Sequence, residues 1–257
     1  MDPKAFYCST GPGCYAPTEA AQGPRYQYGG ALAALLVKTA QGLLADPSWH
    51  LASATCSYLA PTPMADIHAS AARVTRRGRS ELVESVLHVN GQATAACTSW
   101  WLAPQRQDVP ALETEFTAPI VPKAIPHPRP PFGYLRASER RFAKGDFLEP
   151  GPAFVWTRTD LPLVEGEPSD PLHHLVIGSD ISCAVSFPLQ LERFNLANID
   201  LTVRLHRQPI NSWTGIDATT QVGSDGIGLT HAVLWDSRGP VGSAGQTLRV
   251  KAMQTQK

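Results

Sequence analysis

The sequence predicts an α+β fold in which a long helix is wrapped by a mostly antiparallel β-sheet, with the whole unit made twice. Three observations carry this reading. An apolar, helix-forming segment lies near residue 30, runs of strand character follow it, and the order of elements repeats after a proline-rich break.

In the first half, Ala31-Leu32-Ala33-Ala34-Leu35-Leu36-Val37 follows Gly29-Gly30 and continues through Lys38-Thr39-Ala40 to Leu43-Leu44. Rich in helix formers and nearly free of polar residues, it reads as a buried helix. Residues 51–59, 66–75, 82–89 and 93–102 read as strands, with Asn90-Gly91 as a hairpin turn. Eight prolines between 104 and 131 then forbid helix interiors and central strands. The chain thus divides into an N-terminal unit over 1–103, a linker over 104–132 and a C-terminal unit over 133–257.

The second half repeats the plan. Residues 134–142 and 153–159 are expected as strands, 171–187 as a helix, and 197–206, 214–222, 228–235 and 241–250 as four further strands. Along the first of these four, Ile199, Leu201, Val203 and Leu205 alternate with Asn198, Asp200, Thr202, Arg204 and His206, the period of a sheet with one apolar face. A shift of 148 residues lays Val74 on Val222, Gly78 on Gly226, Gly91 on Gly239 and Leu102 on Val250. A shift of 146 sets 59–63 on 205–209. Glycine matches alone are weak, but the agreement in element order makes the repeat.

Composition narrows the function. Hydrophobic residues are 43% and charged ones 17%, and 22 basic side chains cancel 22 acidic ones, which excludes disorder and a strongly basic nucleic-acid surface. No apolar run approaches the roughly 18 residues that span a bilayer, and Met1-Asp2-Pro3-Lys4-Ala5 lacks the regions of a signal peptide, so a soluble cytoplasmic protein with no membrane partner is expected. Five cysteines form no CxxC pair, which points to buried reduced thiols. Cys8 and Cys14, in a Gly/Pro loop, have a spacing that permits a disulfide without implying one. No cofactor is expected and no metal: His173-His174 has no second ligand cluster and reads as a surface pair, while His206 and His231 read as packed strand residues. Neither a Gly-x-Ser-x-Gly elbow nor a GxxxxGK[ST] loop is present, so serine-hydrolase and nucleotide-hydrolase readings lack their central parts.

Several segments resemble the double-hotdog acyl-CoA thioesterases, both the type II enzymes and the related actinobacterial thioesterase-like proteins. They are Tyr28-Gly29-Gly30-Ala31-Leu32-Ala33-Ala34-Leu35, Ser179-Asp180, the stretch 197–207, and the stretch from Val222-Gly223-Ser224-Asp225-Gly226 to Gly245-Gln246-Thr247-Leu248. The resemblance implies a double hotdog fold of two tandem repeats. It also implies an acidic residue on the second helix, a hydroxyl or amide on the strand after it, and a glutamine on the last strand. These fall on Asp180, Asn198 and Gln246. Asn198 departs from the threonine of the type II enzymes and is similar to the thioesterase-like branch. Taken singly, each of the three also fits a helix cap or a solvated surface.

The chemistry itself needs no covalent intermediate if a water is held against a thioester carbonyl. Asp180 is the candidate base, with Asn198 and Gln246 fixing the water and polarising the reacting groups. Helix starts flanked by glycine, at Tyr28-Gly29-Gly30 or Gly178-Ser179, offer unpaired N–H donors for substrate, although glycine there serves close packing equally well. The expected reaction is hydrolysis of an acyl thioester on coenzyme A or an acyl carrier protein, in a tunnel that tryptophans such as Trp100-Trp101 could wall. The alternatives are a cyclase, lyase or isomerase acting on a polyketide-like substrate of secondary metabolism, and a non-catalytic acyl-binding protein. Because hotdog sheets associate edge to edge or back to back, a homo-oligomer is compatible with all three.

Overall fold

The computed structural model describes residues 2–44, 46, 48–105, 132–147 and 149–253. Most of the expected linker, 106–131, therefore lies outside the described residues. In chain order the elements are β1 (Tyr7–Gly11), β2 (Cys14–Pro17), α1 (Gly29–Gln41), β3 (His50–Tyr58), β4 (Ile67–Arg77), β5 (Ser80–Val89) and β6 (Gln92–Leu102). After the linker come α2 (Gly133–Arg136), β7 (Glu139–Lys144), β8 (Ala153–Arg158), α3 (Pro171–Ser179), α4 (Ser182–Val185), β9 (Phe194–Asn198), β10 (Asp200–Leu205), β11 (Trp213–Val222), β12 (Ile227–Asp236) and β13 (Gly239–Ala252).

The strands form one antiparallel sheet in the order β1-β2-β4-β5-β6-β3-β10-β13-β12-β11-β8-β7, with β9 also on β13. The helices α1, α3 and α4 pack against its strands, a hotdog-like arrangement. α1 packs on β3, β4, β5 and β6 and crosses α3, which rests on β8 and β11. Residues 31–37 of α1 are almost wholly buried, because a helix of Ala, Leu and Val on every face can be covered all round. The order reads alike from both ends, and its middle is the pairing of β3 with β10, where Thr202 faces Thr55 and Leu201 faces Cys56. Gly78 and Gly226 turn the hairpins after β4 and β11, Gly91 and Gly239 those after β5 and β12, all four with positive φ. Among the described residues no helix is long and apolar enough to cross a membrane.

Five expectations need correction. Residues 134–138 are not strand: Gly133–Arg136 forms a helical turn whose Gly133 lies so close to the Glu19 carbonyl that no side chain fits. The N-terminal segment around Cys8 and Cys14 is a hairpin rather than a loop, and its register places Cys8 opposite Ala16 and Cys14 opposite Gly11. His173 and His174 are buried, not surface residues, bonded to Gln41 and to the Leu161 carbonyl, and burial pushes His173 down to about 4.

The second helix is not continuous over 171–187. It starts well, with Pro171 in its first turn and the Asp170 side chain accepting the Leu172 N–H, but stops at Ser179. Ser179 and Ser182 turn their hydroxyls onto the carbonyls of Leu175 and Ser179, and the Ile181 N–H bonds to Gly178, three residues back.

Finally, the expected strand 197–206 is two strands. Asn198 faces Leu248, whereas Thr202 faces Gly245, so the register slips by one at a bulge around Ile199. The Asp200 carboxylate accepts the Thr247 N–H, and the Ile199 N–H donates to the Thr247 carbonyl. Ile199 is consequently turned out and 43% exposed, whereas Leu201 and Val203 are buried as the alternation predicts.

Candidate active site

The break in the second helix and the bulge at Ile199 act on the same point. Strict alternation with Thr202 and Asp200 would turn Asn198 away from the helices. The extra residue turns it inward, where its Nδ2 donates to Asp180 Oδ1 at 2.6 Å. Asp180 occupies the C-cap position of α3, and because the helix is interrupted there its carbonyl takes no backbone N–H among the described residues, only the Cys183 thiol at 3.7 Å.

Gln246 fills that gap. Its Oε1 accepts the N–H of Cys183, in the first turn of α4, at 3.0 Å, and its Nε2 donates to the Asp180 carbonyl at 3.0 Å and to Asp180 Oδ1 at 3.2 Å. The side chain is 1% exposed. Both of its ends are committed, so its amide splints the broken helix and orients the carboxylate at once.

The first half supplies the other donors. The first N–H groups of α1 have no intrahelical acceptor. That of Gly30 donates to Asp180 Oδ2 at 3.0 Å, while that of Gly29 has no acceptor among the described residues. Both places are too close for an unshifted methyl group. A Cβ on Gly30 would lie 2.3 Å from the Ile177 carbonyl oxygen, and one on Gly29 would lie 2.8 Å from Asp180 Oδ2 and 2.9 Å from the Tyr58 hydroxyl. Tyr58, at the end of β3, donates its hydroxyl to Asp180 Oδ1 at 3.2 Å.

Asp180, Asn198, Gln246 and Gly30 therefore converge on one carboxylate, and Gly29 lies against it. Tyr28 is different. It is buried, stacks on Tyr134 with ring centres 3.9 Å apart, and donates its hydroxyl to the Ile177 carbonyl, so it fastens the entry of α1 to α3. Trp101 is buried with its indole N–H on Ser99, and Trp100 faces outward. Tyr58 went unread in the sequence, where an aromatic residue at a strand end is commonplace. The one available signal was its position just before the Leu59-Ala60-Pro61 break.

The electrostatics follow from this geometry. Asp180 is 7% exposed, and burial pushes its carboxyl up to about 6, although the donors from Tyr58, Gly30, Asn198 and Gln246 pull the other way. A carboxylate that is ionised near neutral pH but holds a proton readily is suited to general-base work. Asn198 Oδ1 is buried and has no partner among the described residues, so an acceptor remains open beside the carboxylate.

Comparisons with known proteins bear on the family and the fold. The profile of the acyl-CoA thioesterase N-terminal domain matches residues 16–103, and that of the C-terminal domain matches residues 119–250. No curated protein matches the chain. Among solved structures it is similar to a hot dog fold protein of unknown function from Alicyclobacillus acidocaldarius, with 17% identity, 98% of each chain covered and a TM-score of 0.77. It is also similar to the acyl-CoA thioesterase II TesB2 of Mycobacterium marinum, with 17% identity, 96% of each chain covered and a TM-score of 0.69. A third is the tesB protein of Mycobacterium avium subs paratuberculosis, at 16% identity, with 95% of this chain and 96% of that one covered and a TM-score of 0.68. At these identities the structures speak for the fold, and the two domain profiles speak for the family. Matched in both halves, the chain belongs to the acyl-CoA thioesterases, a family of thioester hydrolases.

Proposed function

We propose that the protein hydrolyses an acyl thioester by direct attack of water, with Asp180 as the general base. The observation that carries the reading is the buried Asp180 carboxylate, raised to about 6 and reached by four protein donors, three of which end on Oδ1. Oδ2 takes a single protein donor, the Gly30 N–H, and so keeps a lone pair for a water. A water there donates one proton to Oδ2 and the other to the unpartnered Asn198 Oδ1, which leaves its own lone pair for the carbonyl carbon. As the C–O bond forms, Asp180 takes the proton. The Gly29 N–H is the available donor for the oxygen that gains charge. Collapse of the tetrahedral intermediate breaks the C–S bond, and the proton on Asp180 passes to the departing thiolate.

Gln246 does not touch the water in this reading; it orients the base. The carrier is coenzyme A or the matching pantetheine arm of a carrier protein. We further read the chain as a tandem duplication, with hotdog units over 1–103 and 133–257 joined by 104–132, acting as a soluble cytoplasmic enzyme that pairs into homo-oligomers. The palindromic strand order and the two pairs of turn glycines support the duplication.

Thiol release from a panel of substrates, from acetyl-CoA to palmitoyl-CoA, tests the proposal. The expected result is free acid and coenzyme A in equal amounts, with Asp180→Asn slowing release by about 100- to 10,000-fold. Binding without release, or release indifferent to Asp180→Asn, overturns it.

A further inference from the structure

The Asp180 carboxylate is loaded unevenly. Oδ1 receives Asn198 Nδ2 at 2.6 Å, the Tyr58 hydroxyl at 3.2 Å and Gln246 Nε2 at 3.2 Å, whereas Oδ2 receives only the Gly30 N–H. A carboxylate oxygen has two in-plane lone pairs, so three donors saturate Oδ1. Of these three, the Gln246 amide is tied to the helix break and Asn198 is aimed by the bulge. Tyr58 alone comes from β3, across the junction of the two halves. The residue is half-buried, and its hydroxyl and Asp180 Oδ2 both lie against Gly29, where a Cβ would come within 2.9 Å and 2.8 Å of them.

We propose that Tyr58 is a positioning residue of the reaction: its phenol O–H occupies Asp180 Oδ1 and leaves Oδ2, over Gly29, as the oxygen that takes the proton from water. The inference rests on the reading of Asp180 as the base. The titratable groups around Asp180 are Tyr58 and Cys56 from β3, Tyr28 before α1 and Cys183 of α4. All are pushed upward, the tyrosines and Cys183 chiefly by burial and Cys56 chiefly by the Cys97 thiol. They are neutral at physiological pH, so the phenol can only donate to the carboxylate, and Asp180 is the group of this set that titrates near neutrality.

Tyr58→Phe keeps the ring and deletes the donor. With one hydrogen bond to the ionised form gone, the acid limb of kcat/KM moves up by roughly half to one pH unit. From the shift alone the variant then loses about two- to fivefold at pH 6 and almost nothing at pH 8, because deprotonation at high pH restores the base. A residue that merely packs would lower the rate equally at both pH values, and an unmoved limb overturns the proposal. Carboxyl 13C NMR provides a readout independent of turnover: the Asp180 resonance, assigned by its loss in Asp180→Asn, is titrated in the parent and in Tyr58→Phe. A higher midpoint in the variant is expected, and coincident midpoints overturn the role of Tyr58. If the midpoint moves but the parent releases no thiol from any acyl-CoA, it is the hydrolytic reading that fails, and the hold of Tyr58 on Asp180 stands.

Discussion

The backbone N–H of Gly30 ends 3.0 Å from Oδ2 of Asp180, across 150 residues of chain, and it does so because neither Gly29 nor Gly30 carries a side chain. The two glycines differ in what a methyl group would meet. At Gly30 it strikes backbone, the Ile177 carbonyl oxygen, so α1 and α3 must separate. At Gly29 it meets only the ends of the Asp180 and Tyr58 side chains. Gly30→Ala is expected to cost about 1–3 kcal/mol in urea unfolding. Gly29→Ala is expected to stay within about 1 kcal/mol of the parent while losing roughly tenfold or more in thioester turnover. Equal effects of the two substitutions on stability would contradict this division.

Burial of Asp180 also sets a slope in stability against pH. The carboxyl is raised from 3.8 to about 6, so between these values the folded state holds a proton that the unfolded state has lost. Stability from this group is fully present below pH 3.8 and declines as the pH rises through about 6, by about 3 kcal/mol in all. Asp180→Asn removes the titration. Chemical denaturation of both proteins from pH 4 to pH 8 should therefore show the variant gaining on the parent as pH increases; a difference constant with pH would show that Asp180 is not desolvated.

Gln246 satisfies both sides of the interrupted helix. Gln246→Leu is one bond shorter; it strands the Cys183 N–H in a buried setting and leaves the Asp180 carbonyl only the Cys183 thiol. Each group left unpaired costs about 1–3 kcal/mol. The expected outcome is a loss of about 2–4 kcal/mol, with amide hydrogen exchange quickened first at residues 182–186. Unchanged exchange in α4 would mean that the splint is idle.

A separate anchor holds the far end of β12. Arg207 forks onto Asp236 with two contacts of 2.6 Å, and Asp236 is 1% exposed. Burial pushes this carboxyl up, but the Arg207 guanidinium and the N–H groups of Arg238 and Ile210 more than offset it and hold it below its ordinary value. Arg207→Ala leaves a buried carboxylate without its cation and is expected to cost about 3–5 kcal/mol near pH 7. Because a lowered carboxyl adds stability above its unfolded value, that difference shrinks as the pH falls through the carboxylate range. Thermal melts at pH 7 and pH 3 measure both parts.

What the sequence made legible was whatever depends on repeating local signals. The all-apolar run after Gly29-Gly30, the strands β3 to β6, β8 and β11 to β13, and the turns at Gly91 and Gly239 follow from period and turn chemistry. The meeting of Asp180, Asn198 and Gln246 was legible by resemblance. The devices that make them meet were not. Regular alternation from Ile199 to Leu205 argued for a straight strand, and a bulge that aims one side chain violates that period by design. The interruption after Ser179 lies in Gly178-Ser179-Asp180-Ile181-Ser182, whose weak helix formers were outweighed by the apolar residues on either side. Tyr58 was silent because its importance depends entirely on what β10 and α3 bring beside it.

The pairing of β3 with β10 has a consequence for how the chain can be divided. Thr55 and Thr202 stand opposite each other at a strand-to-strand seam, and the carboxylate on one side takes donors from the other. A polypeptide severed between 105 and 132 would yield two fragments, each with a raw, hydrogen-bond-hungry margin. Neither fragment could assemble the reactive centre by itself, and mixing them should restore it only as fast as the margins find one another.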